Sequence, residues 1–303
     1  MTVPPLLWAG NAVVGRYAAE LIEPLLLNAL RWLGAGLILL PLGWRVFADA
    51  GSRQRIVRHA GYFALLGLLG VGAFNALQYT ALQTTSAINA TLILASGPVW
   101  SLAIGALFYR KPVQRQDLIG ALLSLMGVAV VISGGQLSGL LRLQLVPGDL
   151  ILLVAVVGWS FYTWMLARPP AAIQSDGAPT WNWAEALMVQ VVIGAAWATL
   201  AASVQAVAAP QGLGTPTWGL PLLLVLAFVM VLPSLVAYRC WGLGVQRAGP
   251  TLATFFANLA PVFAALMSTA LLGEAPGWHH ALAFALIVCG ILVSMRPPAR
   301  SSR

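Results

Sequence analysis

Residues 92–108 read LILASGPVWSLAIGALF, an apolar run with Pro98 near its middle. Residues 255–272 read FFANLAPVFAALMSTALL, and Pro261 follows Pro98 after 163 residues. A helix needs about 20 residues to cross the ~30 Å of hydrocarbon in a bilayer, so each run approaches membrane-span length. A proline inside such a helix removes a backbone donor and frees the carbonyl four residues earlier, which is tolerated only where protein or water covers it. The sequence therefore predicts two interrupted membrane helices at matched positions.

The composition indicates a membrane protein. Apolar residues make up 60% of the 303 residues and charged residues 8%, whereas soluble domains are about one quarter charged. The long apolar runs indicate helices, because a lipid-facing barrel strand would alternate apolar and polar residues. Cys240 and Cys289 lie in separate runs and offer neither a disulfide framework nor a metal motif. We predict an all-α integral membrane protein with no metal and no other cofactor.

Apolar runs between clusters of charge, glycine and proline predict ten membrane helices. Their approximate bounds are 3–22, 25–47, 60–82, 86–109, 116–134, 147–168, 183–208, 218–240, 250–272 and 278–296. Short cytoplasmic loops collect Lys and Arg. Thirteen of the 16 basic residues fall on one side of these spans: Arg45, Arg53, Arg55, Arg58, Arg110, Lys111, Arg115, Arg168, Arg239, Arg247, Arg296, Arg300 and Arg303. We expect both termini in the cytoplasm and the chain in a bacterial-type inner membrane. This placement explains the net charge of +8 without a nucleic acid partner.

The chain repeats itself. The alignment that places Pro98 on Pro261 also places Gly127 on Gly290. Because each copy holds five spans, an odd number, the second copy enters the membrane upside down, as in many secondary transporters. We predict ten transmembrane helices in two inverted five-helix repeats, residues 1–135 and 146–297, around a central cavity lined by the interrupted helices.

Several short motifs carry a family resemblance. Each half has a polar turn, a helix with a Pro-Val pair and then a charged end, Arg110-Lys111-Pro112 in the first half and Gly273-Glu274-Ala275-Pro276 in the second. Ala29-Leu30-Arg31-Trp32 in the second span matches a Leu-Arg motif. Over nearly its whole length the chain resembles two EamA-type domains of the drug/metabolite transporter superfamily, and it is similar to the aromatic amino acid exporters of that superfamily. The resemblance implies export of amino acids, although the superfamily also includes nucleotide-sugar, triose-phosphate and multidrug carriers.

Polar and aromatic residues inside the spans are the candidates for a substrate site, because polar side chains in a bilayer face the bundle interior or a wet cavity. Aromatic rings beside amide groups suit an amphipathic solute such as an apolar amino acid. The same residues can also serve as hydrogen bonds between helices or as an interfacial aromatic belt. The predicted substrate-binding residues are Asn11, Asn75, Gln78, Tyr79, Ser96, Trp100, Tyr162, Thr163, Trp164, Tyr238, Trp241, Phe255 and Asn258.

Two prolines and three charged residues are the predicted gating or hinge positions: Pro98, Pro261, Arg16, Glu20 and Arg31. Arg16 can reach Glu20 one helical turn on, and Arg31 can join that cluster. The cluster is either a structural ion pair near the outer face or a functional group, which would be a gate or a contact for a substrate carboxylate. No Asp or Glu is predicted at mid-membrane, so the usual sign of a proton relay is absent.

The sequence favours a carrier over an enzyme or a channel. It has no HExxH, CxxC or P-loop pattern and no converging set of catalytic side chains within a span. An inverted repeat predicts rocking around a fixed site, whereas a channel needs filter-like loops or rings of charge. We expect an alternating-access exporter of aromatic and other apolar amino acids. Its expected partners are that small-molecule substrate and the lipid bilayer, and a monomer is compatible with the sequence. A multidrug or other metabolite exchanger of the same superfamily is the alternative.

Overall fold

The computed structural model describes residues 1–133, 135–136, 145–174, 180–208, 213–272 and 277–296, without the side chains of residues 16, 87, 88 and 268–272. Within these ranges the chain forms helices and no strands. The predicted motif Gly273-Glu274-Ala275-Pro276 lies outside the described residues.

The first repeat contains five helical spans. They are α1 (Val3–Ala18), α2 (Pro24–Gly43), a third span made of α5 (Ala60–Gly67), a π-helical segment (Leu68–Gly72) and α6 (Ala73–Leu82), a fourth made of α7 (Ala87–Ala95) and α8 (Gly97–Tyr109), and α9 (Arg115–Ile132). Two short helices, α3 (Arg45–Ala48) and α4 (Ala50–Arg58), connect the second and third spans. At the start of α4 the Ser52 backbone N–H donates to Asp49 over 2.6 Å, and this bond lowers the pKa of the Asp49 carboxyl.

The second repeat has the same order. It consists of α10 (Pro147–Ala167), α12 (Trp183–Ala208) after a short α11 (Ala171–Gln174), an eighth span made of α13 (Leu220–Met230), a π-helical segment (Val231–Val236) and α14 (Ala237–Ala248), a ninth made of α15 (Pro250–Ala257) and α16 (Ala260–Leu272), and α17 (Trp278–Ser294). Within the described residues eight of these spans are long and apolar enough to cross a membrane, and α17 is a shorter apolar helix. The remaining span, α1, has 16 residues.

Irregular features recur at the 163-residue spacing of the two prolines. The π-helical segments begin at Leu68 and Val231, and the second halves of the interrupted spans begin at Gly97 and Ala260. A π-helical turn is rare and is frequently found at functional sites. Because four irregularities fall at matched positions, they belong to the repeated architecture and not to local accidents of sequence.

Contacts between helices follow the same symmetry. Helix α2 packs on its counterpart α12, and α9 packs on its counterpart α17. Helix α8 contacts α10, and in the other half α16 contacts α1. These reciprocal contacts are those of a pseudo-two-fold axis, and the prediction of two inverted five-helix repeats is confirmed.

Small residues allow the last helices of the two repeats to approach closely. A Cβ atom added at Gly120 would lie 2.7 Å from the Gly290 carbonyl oxygen, and one added at Gly127 would lie 2.8 Å from the Ala283 carbonyl oxygen. These two contacts exchange under the repeat, because Gly120 corresponds to Ala283 and Gly127 to Gly290. Close backbone packing at small residues is the usual way in which membrane helices associate.

Two details differ from the sequence predictions. The eighth span continues to Ala248, beyond the predicted end near residue 240, because the polar face of α14 is compatible with a helix that leaves the apolar layer. The fourth span does not run through Pro98 with a freed carbonyl at Leu94. It stops at Ala95 and restarts at Gly97, which leaves Pro98 in the first turn of α8, where no backbone donor is required.

Candidate substrate site

Five aromatic side chains meet where the first helix of each repeat approaches the eighth span. We call them the aromatic cluster: Trp8, Trp159, Tyr162, Tyr238 and Trp241. The ring centroids of Trp8 and Trp159 are 5.4 Å apart at an interplanar angle of 87°, and those of Trp159 and Tyr162 are 5.0 Å apart. Trp241 lies 5.2 Å from Trp8 and 5.7 Å from Trp159. Edge-on and tilted contacts at these distances are the favoured geometries of aromatic pairs.

Burial differs across the aromatic cluster. Tyr162, Tyr238 and Trp241 are buried, whereas Trp8 and Trp159 are half-buried. Trp32 of α2 and Phe74 of α6 extend the cluster, with ring centroids 5.1 Å from Tyr238 and 5.0 Å from Trp159, respectively. The cluster thus joins side chains from α1, α2, α6, α10 and α14, which come from both repeats.

The π-helical segments direct backbone carbonyls to this cluster. The Tyr238 hydroxyl donates to the Gly70 carbonyl, and the Trp8 indole Nε1–H donates to the Pro233 carbonyl over 3.3 Å. Gly70 and Pro233 occupy equivalent positions in the two repeats, at the same 163-residue spacing. A π-helical turn shifts the backbone hydrogen bonds from i−4 to i−5, which makes such carbonyls available to side chains. Each repeat therefore supplies one carbonyl acceptor beside the rings.

Hydrogen bonds fix the buried polar groups of α10. The Tyr162 hydroxyl donates to the Gln190 side-chain oxygen over 3.0 Å, and the Gln190 amide donates to the Ala186 carbonyl. The Thr163 hydroxyl donates to the Trp159 carbonyl over 2.8 Å. Tyr162 is thereby held at a fixed orientation within the aromatic cluster, while Thr163 bonds back to its own helix.

Trp164 lies apart from the aromatic cluster, although the sequence groups it with Tyr162 and Thr163. Its ring stacks on Tyr109 at 4.7 Å, and its indole N–H donates to the Ser101 carbonyl over 2.8 Å. The cationic groups of Lys111 and Arg168 lie 6.0 Å and 5.6 Å from its ring centroid. These contacts bind the sixth span to the end of the fourth at the side rich in basic residues.

The interruptions of the fourth and ninth spans hold three more predicted residues, Ser96 and Trp100 in the fourth and Asn258 in the ninth. The Ser96 hydroxyl donates to the Ile93 carbonyl over 2.6 Å and accepts from the half-buried Trp100 indole over 3.0 Å. Asn258, in the interruption of the ninth span, donates to the Ala95 carbonyl over 3.0 Å and to the Ser124 hydroxyl over 2.8 Å. The Asn258 amide therefore joins the two interruptions to each other.

The other predicted substrate-binding residues occupy several surroundings. Phe255 is fully buried in an apolar cluster with Leu102 and Ile287, away from the aromatic cluster. Asn75 is buried on α6, and Gln78 and Tyr79 are half-buried one turn further on. Asn11 is half-buried on α1, three residues after Trp8.

The predicted charged cluster depends on Arg16, whose side chain lies outside the described residues. Glu20 is exposed. Arg31 is buried and its Nε donates to the Ser234 hydroxyl over 2.6 Å. Pro98 and Pro261 both stand in the first turn after an interruption. In the described part of the chain no three His, Cys, Asp or Glu side chains are close enough to hold a metal ion.

The sequence model of one transporter family matches this chain twice, over residues 1–133 and 146–296. The chain belongs to the EamA-like transporter family. The family and the relatives below are named as transporters, so this protein is a multi-pass membrane transporter and not an enzyme.

Relatives of this EamA-like transporter align with it over most of its length. It is similar to the uncharacterized inner membrane transporter YedA of Escherichia coli K12, with 26% identity over 293 residues that cover 95% of this chain and 87% of YedA. The uncharacterized transporter YyaM of Bacillus subtilis strain 168 is 23% identical over 252 residues, which cover 82% of this chain and 77% of YyaM. A solved crystal structure with 22% sequence identity has a TM-score of 0.73 and covers 96% of this chain and 94% of that chain, which shows a shared fold.

The structure adds residues to the candidate site of this EamA-like transporter that are not among the predicted substrate-binding residues. The ring and hydrogen-bond contacts of the aromatic cluster centre on Trp8, Trp159, Gly70 and Pro233. Gln190 orients Tyr162 through a hydrogen bond. One signal was available, because Gly70 and Pro233 stand at the same spacing as Pro98 and Pro261. The partners of Trp8 are 151 to 233 residues away in sequence, and no local pattern indicates such contacts.

Proposed function

We propose that this EamA-like transporter exports small amphipathic metabolites by alternating access, with aromatic and other apolar amino acids as its main substrates. The aromatic cluster is the observation that carries the proposal. Its rings offer apolar contact to a side chain, and the faces of Trp and Tyr attract an ammonium group. The Gly70 and Pro233 carbonyls beside the rings are acceptors for the same ammonium group once Tyr238 and Trp8 release them.

The architecture supports a carrier mechanism. Interrupted helices at a repeat interface form the substrate sites of many secondary transporters, and alternating access moves one repeat against the other around such a site. Here the interruptions touch each other through Asn258, and the aromatic cluster lies between α1 and α10, the first helices of the two repeats. Motion of one repeat against the other would change the distance between the two interruptions and the distances between the rings of the aromatic cluster. We further propose that the repeats extend over residues 1–135 and 146–297 and that the protein functions as a monomer.

Charge supports an orientation. Basic residues collect in short cytoplasmic loops, and Arg53, Arg58, Arg110 and Arg168, which the span order predicts on one side, are all exposed. We propose an inner membrane location with both termini in the cytoplasm. A fluorescent protein fused at the C-terminus should fold and emit in the cytoplasm. Activity of a second C-terminal reporter, of a kind that works only outside the membrane, would contradict this orientation.

The proposal is tested by uptake into proteoliposomes of labelled phenylalanine, glutamate, a sugar phosphate and a lipophilic cation. Phenylalanine should enter saturably, while glutamate and the sugar phosphate should not. Trp159→Ala should lower the initial rate for phenylalanine by about tenfold or more, because it removes the ring that touches every other member of the aromatic cluster.

Trp218→Ala is the matched control, because Trp218 is exposed just before the eighth span. This variant should transport phenylalanine at the wild-type rate. Equal rates in wild-type protein and the monodisperse Trp159→Ala variant would contradict the assignment of the aromatic cluster as the substrate site.

Exchange of multiple drugs is the second candidate, because the aromatic cluster would also attract a lipophilic cation. None of the five cluster residues contacts a carboxylate in the described part of the chain, and a buried carboxylate is the usual counter-charge for such cations. Saturable movement of the lipophilic cation without any movement of phenylalanine would favour this second function.

A further inference from the structure

Arg31 has fewer partners than a buried guanidinium requires. It is 2% exposed, its Nε donates to Ser234, and its guanidinium carbon lies 5.0 Å from the Trp32 ring centroid. Its Nη1 has no hydrogen-bond partner among the described residues, and it forms no ion pair with any of them. A buried charge is usually paired, because removal from water is costly unless an opposite charge compensates it.

Two neighbours on the same helix face share this property. Asn28 is 1% exposed, and both its amide nitrogen and its amide oxygen lack a partner among the described residues. The fully buried Trp32 likewise has an unpaired indole N–H. Residues at i, i+3 and i+4 lie on one face of a helix. Because nearly all buried polar groups are satisfied in native proteins, three adjacent unpaired donors point to a missing acceptor.

We propose that Asn28, Arg31 and Trp32 form an anion subsite that binds the carboxylate of the transported substrate. The inference rests on the proposed function and specifies the substrate class as monocarboxylates with an apolar body. The unpaired groups are mostly donors, and a guanidinium donates two parallel hydrogen bonds to a carboxylate. A phosphate dianion would require further cations, and no second basic side chain contacts Asn28, Arg31 or Trp32 in the described part of the chain.

The position of the subsite fits a substrate that also contacts the aromatic cluster. The Trp32 ring centroid lies 5.1 Å from that of Tyr238, so the anion subsite borders the rings. The Ser234 hydroxyl, which accepts from Arg31, belongs to the π-helical segment of the eighth span and donates to the Val229 carbonyl. In this structure Asn28, Arg31, Trp32 and Ser234 are all buried, so the anion subsite is closed to solvent. The carboxylate takes the place of the Ser234 hydroxyl when the eighth span moves away from α2.

The test compares initial rates for phenylalanine and phenylalaninamide, which differ in the carboxylate and share the ring and the ammonium group. In Arg31→Gln the KM for phenylalanine should rise by about 10- to 100-fold, as expected for loss of a charge-assisted pair. The KM for phenylalaninamide should change by less than about twofold. Arg239→Gln is the control, because Arg239 is exposed and lies over the Trp183 ring. An equal loss for both compounds, or for neither, would overturn the proposal.

A second measurement separates this inference from the proposed function and does not depend on one variant. In detergent, 3-phenylpropionate should raise the unfolding midpoint of wild-type protein and of Arg239→Gln, and it should leave Arg31→Gln and Asn28→Leu unshifted. If wild-type protein transports no amino acid but shows this pattern, the proposed substrate fails and the anion subsite stands. If 3-phenylpropionate shifts all the folded variants equally, or does not shift the wild type, the anion subsite is wrong.

Discussion

At the scale of single residues, chemical type predicts candidates, and packing decides their roles. Asn258 is of a residue type that can bind a substrate, but both hydrogen bonds of its amide nitrogen go to the protein, to the Ala95 carbonyl and the Ser124 hydroxyl. Trp164 likewise has its indole N–H bonded to Ser101. Tyr162, Tyr238 and Trp241, in contrast, belong to one aromatic cluster, in which each ring contacts Trp159. Sequence identifies residues that avoid lipid and does not say whether the partner is a solute or a helix, because both satisfy the same hydrogen-bonding need.

Asn258→Ala should lower thermal stability without changing substrate affinity. The substitution leaves the Ala95 carbonyl and the Ser124 hydroxyl without their donor, a loss of about 1 kcal/mol in the free energy of unfolding for hydrogen bonds of this kind in membrane proteins. Thermal unfolding in detergent measures the effect, and Ser124→Ala, which removes one of the two acceptors, should have a smaller effect. A higher KM for phenylalanine in Asn258→Ala at unchanged stability would instead return Asn258 to the substrate site.

At the scale of helices, the positions of the spans follow from the sequence and their internal irregularities follow only in part. Nine of the ten predicted spans end within a few residues of the observed helices, because apolar length and flanking charge determine them. The proline in each interrupted span marks a real break between two helices. In the fourth span this break lies just before Pro98, which belongs to the first turn of α8. The π-helical segment at Leu68–Gly72 contains no proline and two glycines, and apolar sequence of this kind is equally compatible with a regular α-helix.

Gly127→Ala should separate the last helices of the two repeats. An added methyl group would lie 2.8 Å from the Ala283 carbonyl oxygen and from an Ile287 side-chain carbon, so α9 and α17 must move apart. The expected cost is about 1–3 kcal/mol, as for other overpacked interiors. Gly242→Ala in α14 is the matched control, because no heavy atom lies within 4 Å of the added carbon. Equal unfolding midpoints for the two variants would show that α9 and α17 do not depend on this close approach.

At the scale of the whole molecule, two inverted repeats contribute matched groups to one aromatic cluster. Gly70 and Pro233 each present a carbonyl to a ring of the aromatic cluster, and Trp8 and Trp159 meet from the first helix of each repeat. The repeat itself was predictable because prolines and glycines recur at one spacing. The identity of the central residues was not, because contacts over more than 150 residues depend on how the two repeats dock.

Counterflow tests most directly the proposal that this EamA-like transporter carries aromatic amino acids by alternating access. Proteoliposomes are loaded with unlabelled phenylalanine and diluted into labelled phenylalanine, with and without a pH gradient. We expect a transient accumulation of label above its equilibrium level at the same height under both conditions, because no carboxylate contacts the aromatic cluster in the described part of the chain. Label that enters no faster into loaded than into empty vesicles, or that moves only when protons drive it, would contradict this transport mechanism.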